Sequence, residues 1–167
     1  MVSIELQWYA LYTKSRHEKF VRDEIQKRQI ESFLPLRFMK RKWSDRMVIV
    51  EEPLFKSYLF VKTDFKSFSD VLKTKGAVAF VRSGDGPVPI RESVILSLRN
   101  IVQPDIVLDP FPYLKQGDRV YVKSGIFKGT EGFIIRKNDK KCRLVISIDA
   151  LMTSISVEVD SCLVERI

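Results

Sequence analysis

The sequence is short of the residues that build metal, redox and acid–base sites. Its 167 residues include two cysteines, Cys142 and Cys162, and one histidine, His17. Two cysteines provide neither a disulfide framework nor the CxxC spacing of a metal site, which suits a reducing cytosol. We therefore expect neither a metal nor any other cofactor.

The sequence also lacks the motifs of an enzyme. His17 lies in a basic segment, and its neighbour Glu18 is assigned below to a helix cap, so neither belongs to a recognisable acid–base pair. No phosphate-binding loop occurs in the sequence. We expect no catalytic residues and no enzymatic activity.

Long apolar runs are absent as well. No run approaches the roughly 18 residues that a membrane span requires. The N-terminal segment MVSIELQWYALYTK lacks the basic region and apolar core of a secretion signal. We expect a soluble, cytoplasmic protein without a membrane partner.

Positive charge is present in excess, and it is concentrated in the first part of the chain. The net charge is +8, of which residues 1–102 carry +7 and residues 103–167 carry +1. Hydrophobic residues make up 45% of the chain, which is enough to form real cores. A basic surface of this kind favours polyanionic partners, nucleic acid above all.

A proline-rich segment divides the chain. Its three prolines are Pro104, Pro110 and Pro112. Proline lacks the N–H that helices and central strands use for hydrogen bonding, so a cluster of prolines indicates a connection. We interpret residues 103–113 as a linker between a first domain at 1–102 and a second domain at 114–167.

The first domain has the pattern of an α+β fold. Its segments follow the order βαβββαβα, which indicates a mainly antiparallel sheet with flanking helices. Ser15 and Glu18 have the spacing of a capping box, and this predicts that a helix starts at residue 16. Asp64 is predicted to cap a short helix that ends at Gly76.

The second domain alternates apolar and polar residues in about five short strands. A domain of this size must close such a sheet into a small β-barrel to bury one face and protect its edges. Gly125, Gly129 and Gly132 interrupt two of the strands, and glycine permits tight turns and close backbone approach. We interpret this stretch as a hairpin whose loop presents Ile126 and Phe127.

Four segments together resemble the NusG family of transcription elongation factors. GDRVYVKSGIFKGTEGFI at 117–134 looks like the KOW motif, which ribosomal proteins also carry. WYALYTKSRHE at 8–18, EPLFKSYLFV at 52–61 and GAVAFVR at 76–82 look like the core of the NGN domain. The resemblance implies an N-terminal NGN domain, a linker and a C-terminal KOW domain with an SH3-like five-stranded barrel.

The resemblance also implies a polymerase-binding patch. Tyr12, Phe55 and Tyr58 match positions of a hydrophobic patch that docks on the clamp helices of the RNA polymerase β′ subunit. Aromatic side chains supply large contact areas at low rotamer cost, which suits an interface. The alternative is that all three are core residues, because strand aromatics usually point inward.

Two basic clusters are candidates for nucleic-acid binding. One lies at the start of the first helix, and the other lies on a hairpin whose strands are joined at Ser44 and Asp45. The residues are Lys14, Arg16, His17, Lys40, Arg41 and Lys42. In the family frame they would face DNA near the transcription fork through phosphate contacts without sequence readout. A solvated hairpin end is the alternative.

The glycine-rich loop of the second domain is a candidate partner site. In NusG-like KOW domains the position of Ile126 and Phe127 corresponds to a surface for a second protein, either ribosomal or a termination factor. Phe127 would be the anchor of that contact. Alternatively, Phe127 is a core residue that the loop covers.

Within the family the chain looks more like the specialised RfaH and UpxY paralogues than like a general factor. Lys56 and Ser57 stand where general factors usually carry Pro-Gly, and residues 141–160 resemble UpxY-type antiterminators of surface-polysaccharide operons. The segment FKSFSD at 65–70 lacks the His-Thr-Thr element of RfaH. The glycines and alternating strands of the second domain favour a stable barrel over the helical form of RfaH.

The expected function is therefore to bind RNA polymerase and promote processive elongation or antitermination on particular operons. One alternative is a general NusG-type factor that couples the polymerase to a termination factor or the ribosome. Another is a KOW-containing, ribosome-associated RNA-binding protein.

Overall fold

The chain folds into two units. A computed structural model describes residues 5–84, 86–114, 117–136 and 140–167. The first unit comprises Met1–Arg91, and the second comprises Glu92–Ile167. The helix predicted at the end of the first domain therefore falls in the second unit. The predicted domain boundaries at residues 102 and 113 stay predictions.

The first unit is built on an antiparallel sheet. Its strands are β1 Gln7–Thr13, β2 Ser32–Phe33, β3 Leu36–Trp43, β4 Arg46–Pro53, β5 Tyr58–Thr63, β6 Ala77–Phe80, β7 Arg82–Ser83, β8 Gly86–Pro87 and β9 Pro89–Ile90. The main sheet has the order β2-β5-β1-β6, and β9 also pairs with β1. Strand β1 is central, and Trp8, Ala10 and Leu11 within it are buried.

Two helices cover one face of this sheet. Helix α1 spans Glu18–Lys27 and α2 spans Phe68–Leu72. Val21 and Ile25 of α1 and Val71 of α2 are fully buried and share one core cluster with apolar residues of β1, β5 and β6. Full burial of each such side chain stabilises the fold by about 1.5–3 kcal/mol, which attaches both helices to the sheet.

The two predicted helix caps have opposite outcomes. The Asp64 carboxylate accepts a hydrogen bond of 2.9 Å from the Ser67 N–H and caps a short 3-10 turn before α2, so this cap is confirmed. The predicted helix end at Gly76 is wrong, because α2 ends at Leu72. The prediction of a capping box at Ser15 and Glu18 is wrong. Helix α1 begins at Glu18 because Arg16 has a left-handed backbone with φ 64°, and the residue at the N-cap position, His17, makes no side-chain cap bond.

Strands β3 and β4 form a separate two-stranded ribbon. Their register runs from the pair Leu36 and Pro53 to the pair Trp43 and Arg46 at the turn. The hairpin predicted at Ser44 and Asp45 is confirmed. Every residue from 40 to 47 is exposed, so the far end of the ribbon lies in solvent.

The second unit combines one helix with an antiparallel sheet. Its elements are α3 Glu92–Ile101, β10 Asp109–Phe111, β11 Asp118–Val122, β12 Glu131–Arg136, β13 Lys141–Ile148, β14 Thr153–Asp160 and β15 Val164–Arg166. Among the described residues the sheet has six strands in the order β10-β14-β13-β12-β11-β15. The strands predicted by alternation are present, and closure into a five-stranded barrel stays a prediction. None of the helices in the described ranges has the length and apolar composition that a membrane span requires.

The sixth strand comes from the segment expected to be a linker. Asp109–Phe111 pairs with Ser154–Ser156 of β14. The Arg143 guanidinium donates to the Asp109 carboxylate at 3.0 Å and to the Ser156 hydroxyl at 2.9 Å, which holds the strand in place. A proline is tolerated here because β10 lies at the edge of the sheet.

Glycine is required at positions 125, 129 and 132 for two different structural reasons. Gly125 and Gly129 have φ values of 83° and 88°, the left-handed region in which a side chain is strained. Gly132 lies in β12, where an added Cβ would stand 2.5 Å from the Val145 carbonyl oxygen. The loop therefore needs the first two for its turns, and the sheet needs the third for close strand approach.

Candidate functional site

Tyr12 and Tyr58 form an accessible aromatic pair on the main sheet. They are direct cross-strand partners on β1 and β5. Their ring centroids lie 5.3 Å apart with an interplanar angle of 54°. Tyr12 is 42% exposed and Tyr58 is half-buried. Two of the three predicted patch residues thus come together at the surface, and we call them the tyrosine pair.

Phe55 behaves differently from the tyrosine pair. It is only 8% exposed, and its ring packs edge-on against Phe60 with the centroids 6.0 Å apart. This position agrees with the alternative that Phe55 is a core residue. Its assignment to a polymerase contact stays a prediction, and the exposed part of the predicted patch is the tyrosine pair.

A buried carboxylate fixes the turn that leads into Tyr58. The Ser57 N–H donates to the Glu18 carboxylate at 2.8 Å, and the Ser57 carbonyl accepts from the Thr13 N–H at 2.8 Å. Ser57 has φ 65°, so these two bonds hold a strained conformation. Glu18 is buried, which strengthens its bond and ties the start of α1 to the tyrosine pair. The sequence did not reveal this role of Glu18, because its partner Ser57 lies far from it along the chain.

The structure brings parts of both basic clusters around one cleft. The cleft has a volume of about 530 Å³ and is lined by Ser15, Arg16, Glu18, Lys19, Arg41, Glu52, Pro53 and Lys56. Arg16 and Arg41 were expected to bind nucleic acid from separate segments, and they line the same cleft. Lys19 and Lys56 were not predicted, because only their place in the fold associates them with the cleft.

The cleft carries more positive than negative charge. The Glu52 carboxylate forms ion pairs with Arg37 at 3.2 Å and with Arg41. Burial raises the pKa of Glu52, but the hydrogen bonds and charges of both arginines outweigh burial and hold that pKa below its ordinary value. The four lining cations face two lining carboxylates, so the cleft suits an anion such as a phosphate.

The other predicted basic residues lie outside this cleft. Lys14 is exposed, and the Nδ1 of half-buried His17 lies 3.0 Å from the Ser15 carbonyl oxygen. Lys40 and Lys42 are exposed on the ribbon. They point to the face opposite Arg41, because successive side chains of a strand alternate. The six predicted residues therefore form more than one surface.

The loop of the second unit separates its two predicted partner residues. Ile126 is largely exposed, whereas Phe127 is 6% exposed. The burial of Phe127 agrees with the alternative that it is a core residue, and its role as a partner anchor stays a prediction. Side chains of α3 also hold the loop, since Asn100 Nδ2 donates to the Lys128 carbonyl at 3.2 Å.

Comparison with known proteins identifies the family. A family model described as "NusG: Transcription termination factor nusG" matches residues 6–99, which is more than half of the chain. The chain belongs to the NusG family. The matched residues include the tyrosine pair and every residue that lines the cleft.

Individual NusG proteins match over nearly the whole chain. The "Transcription termination/antitermination protein NusG" of Borreliella burgdorferi is 23% identical over 186 residues, covering 96% of this chain and 98% of the relative. The protein of that name from Thermus thermophilus is 22% identical over 178 residues, covering 94% and 96%. A solved structure, "Domain interaction in Thermotoga maritima NusG", matches at 22% identity with a TM-score of 0.54 and covers 98% of both chains. This last similarity supports a NusG-like fold in both units.

Proposed function

We propose that this NusG-family chain binds RNA polymerase through the tyrosine pair and promotes processive elongation or antitermination. The observation that carries the proposal is an accessible pair of neighbouring aromatic rings, held by a fixed turn, in a region that matches the NusG family model. The docking surface would be the clamp helices of the β′ subunit. Phe55 would support the patch from beneath.

The mechanism needs no bond-making step. The first unit would grip the polymerase clamp and disfavour the open states from which pausing and termination proceed. A ligand shifts a conformational equilibrium only through different affinities for its two states, so the tyrosine pair must bind the closed clamp more tightly.

The cationic cleft and the ribbon would contact DNA near the transcription fork. Arg16 and Arg41 with Lys19 and Lys56 would bind phosphates in the cleft, and Lys14, His17, Lys40 and Lys42 would extend the contact. Phosphate contacts of this kind position a protein without reading sequence, and they weaken as salt rises.

The second unit would recruit another protein, either ribosomal or a termination factor. Ile126 gives it an exposed apolar side chain in the loop, and the buried Phe127 would have to become accessible before it could take part. Tethering to the polymerase raises the effective concentration of such a partner without any new contact.

A specialised, operon-directed role in the cytoplasm is the narrower form of the proposal. Ser57 supports it, because the position has a glycine-like backbone with φ 65° and yet does not carry the glycine usual in general factors. A general NusG role is the second candidate, and it is favoured by the relatives, which are named termination and antitermination proteins.

Transcription across a terminator tests the proposal. The intact chain is expected to change readthrough, and the double variant Tyr12→Ala with Tyr58→Ala is expected to lose the effect. One interface anchor contributes about 2 kcal/mol or more, so loss of a single tyrosine should lower polymerase affinity about thirty-fold, and the double variant should lower it further. Phe20→Ala is the matched control, because it removes an aromatic ring of similar exposure from α1.

Two outcomes would reject the proposal. One is a double variant that is folded by circular dichroism and still changes readthrough as the intact chain does. The other is copurification with ribosomal RNA in the absence of polymerase, which would indicate a ribosome-associated protein.

A further inference from the structure

The cleft and the tyrosine pair share one turn, residues 55–58, which we call the connecting turn. Lys56 lines the cleft, Tyr58 belongs to the tyrosine pair, and Ser57 is the one residue between them. The Tyr58 N–H donates to the Phe55 carbonyl at 3.2 Å, which closes the turn. A change of backbone conformation at Ser57 therefore affects a cation of the cleft and a ring of the pair together.

Glu18 is associated with two strained backbone positions at this place. Arg16 lies two residues before Glu18, lines the cleft and has φ 64°. Ser57 has φ 65° and donates its N–H to the Glu18 carboxylate at 2.8 Å. Strained conformations persist only where the surrounding structure holds them, and they cluster at ligand clamps and switch regions. The strain thus points to a functional role for Glu18.

The Glu18 carboxylate is also part of the cleft. Glu18 is only 5% exposed, yet it lines the cleft together with four cations. A buried carboxylate is costly unless hydrogen bonds and opposite charges compensate for the lost water. Here the compensation comes from the Ser57 N–H and from the cations, so the bond that positions Ser57 depends on the charge inside the cleft. An anion that enters the cleft changes that charge.

The contacts also give the sign of the effect. The lining cations repel one another until an anion neutralises them. Phosphate oxygens bound to Arg16 and Lys56 would form charge-assisted bonds to side chains on both strained segments and would immobilise them. A turn that is ordered before docking loses less entropy when its aromatic ring meets a partner.

We propose that Glu18 is a positioning residue through which anion binding in the cleft strengthens docking at the tyrosine pair. The Glu18–Ser57 hydrogen bond connects the two sites. Coupling between two binding sites is reciprocal, so docking at the tyrosine pair strengthens anion binding by the same factor.

This coupling rests on the proposed function for its two physiological ligands, phosphates in the cleft and the clamp helices on the tyrosine pair. Its first test needs neither DNA nor polymerase, because it follows the tyrosine rings of the free protein while a small anion binds. A failure of polymerase docking and a failure of the coupling therefore give different results.

The small number of tyrosines makes the first test direct. The chain has five tyrosines, so carbon-13 labelling of tyrosine gives a simple NMR spectrum of the rings. The full chain is titrated with inorganic tripolyphosphate, with sodium chloride holding the ionic strength constant. The ring signals of Tyr12 and Tyr58 should shift along one saturable curve. Tyr9, which lies on the same strand as Tyr12 and is only 6% exposed, is the internal reference and should keep its position.

Variants of Glu18 identify the connection. Glu18→Ala should abolish the saturable shifts of the tyrosine pair, because it removes the acceptor of the Ser57 N–H. Glu18→Gln should restore most of the response, since its amide oxygen can still accept that bond. Asp23→Ala is the matched control, because it removes an exposed carboxylate from the same helix.

A second variant tests the cleft side of the connection. Lys56→Ala keeps the hydrogen bond between Glu18 and the Ser57 N–H and removes the cation beside it. The shifts of the tyrosine pair should therefore need more tripolyphosphate and should reach a smaller final value. This variant also serves as the test if Glu18→Ala does not fold.

The second test measures docking itself. Fluorescence anisotropy gives the affinity of the full chain for a labelled helical hairpin that contains the β′ clamp helices. Saturating tripolyphosphate at constant ionic strength should raise this affinity about five-fold or more, the lower end of usual coupling between sites. In Glu18→Ala the factor should fall to about one.

Three results would overturn the coupling. The first is a folded intact chain whose tyrosine pair shows no saturable response to tripolyphosphate. The second is an equal response in the intact chain and in folded Glu18→Ala. The third is a lower affinity for the clamp helices when tripolyphosphate is present. A response through Glu18 together with no binding of the clamp helices would instead support the coupling and reject the proposed docking surface.

Discussion

Ser57 has a backbone conformation that glycine adopts at lower cost. Its φ of 65° lies in the left-handed region, where a residue with a Cβ loses about 1–2 kcal/mol. The hydrogen bonds to Glu18 and Thr13 offset part of this cost. The position therefore shows how one buried carboxylate can keep an unfavourable residue in place beside the tyrosine pair.

Replacing this residue by glycine should stabilise the protein. Ser57→Gly removes the steric strain and keeps the backbone N–H that Glu18 binds, so the free energy of unfolding should rise by up to about 1 kcal/mol. Urea denaturation measures the change. A lower midpoint would mean that the serine side chain itself stabilises the turn.

Removing the carboxylate should have the opposite effect. Glu18→Ala leaves the half-buried Ser57 N–H without its partner and should cost about 1–3 kcal/mol of unfolding free energy. Glu18→Gln is the matched control, since its amide oxygen can still accept the bond. Equal losses in both variants, measured by urea denaturation, would show that the charge and not the hydrogen bond matters.

The capping box shows why a local pattern can mislead at the scale of residues. Ser15 and Glu18 have the required spacing, but the left-handed Arg16 prevents a helical turn between them. The carboxylate then binds Ser57, which is remote in sequence. No window of neighbouring residues contains that information.

At the scale of elements, a glycine with free space around an added Cβ and a closely packed glycine should respond differently to a methyl group. In Gly132→Ala the new Cβ would meet the Val145 carbonyl at 2.5 Å, so β12 and β13 would have to separate. Overpacking of this kind costs about 1–3 kcal/mol. Thermal unfolding followed by circular dichroism measures the loss.

Gly86→Ala is the control for that variant. An added Cβ at Gly86 meets nothing within 4 Å, and Gly86 is not among the glycines with positive φ. Its melting temperature should stay close to that of the unchanged chain. A Gly132→Ala protein with an equally unchanged melting temperature would mean that the two strands can move apart at little cost.

Strands with a clear alternation were predictable, and β10 was not. Apolar residues at every second position indicated β13 and β14, and the structure has both. Pro110 instead indicated a linker, although the same residue fits an edge strand. Whether a proline-containing segment is free or paired depends on the strand beside it, and that strand is distant in sequence.

At the scale of the whole molecule, pairing of β10 with β14 should limit the access of a protease to this proline-containing segment. Arg143→Ala removes the bonds to Asp109 and Ser156, so Asp109–Phe111 should detach from β14 more often. Limited digestion with chymotrypsin should then cut faster after Tyr113, the nearest aromatic residue that is not followed by proline. Arg119→Ala is the control, because it loses an exposed ion pair with Glu131 instead. Equal cutting of both variants would mean that backbone pairing alone holds β10.

The family and the two-part architecture could be predicted from the sequence, because several motifs occur in the order typical of NusG proteins. The exposure of individual aromatics could not. Tyr12, Phe55 and Phe127 all look like strand or loop aromatics in the sequence, yet of these three only Tyr12 is exposed. Which ring faces solvent is decided by packing in the folded chain, such as that of the Phe55 ring against Phe60.

Strand β10 also affects how the molecule behaves when it is crowded. The open side of β14 would otherwise present unpaired backbone groups to any neighbouring chain, which is the usual starting point of strand-by-strand aggregation. Three residues with Pro110 at their centre cover that side at Ser154–Ser156 and offer few N–H groups for a further strand. This short proline-containing strand thereby acts as a barrier against unwanted self-association.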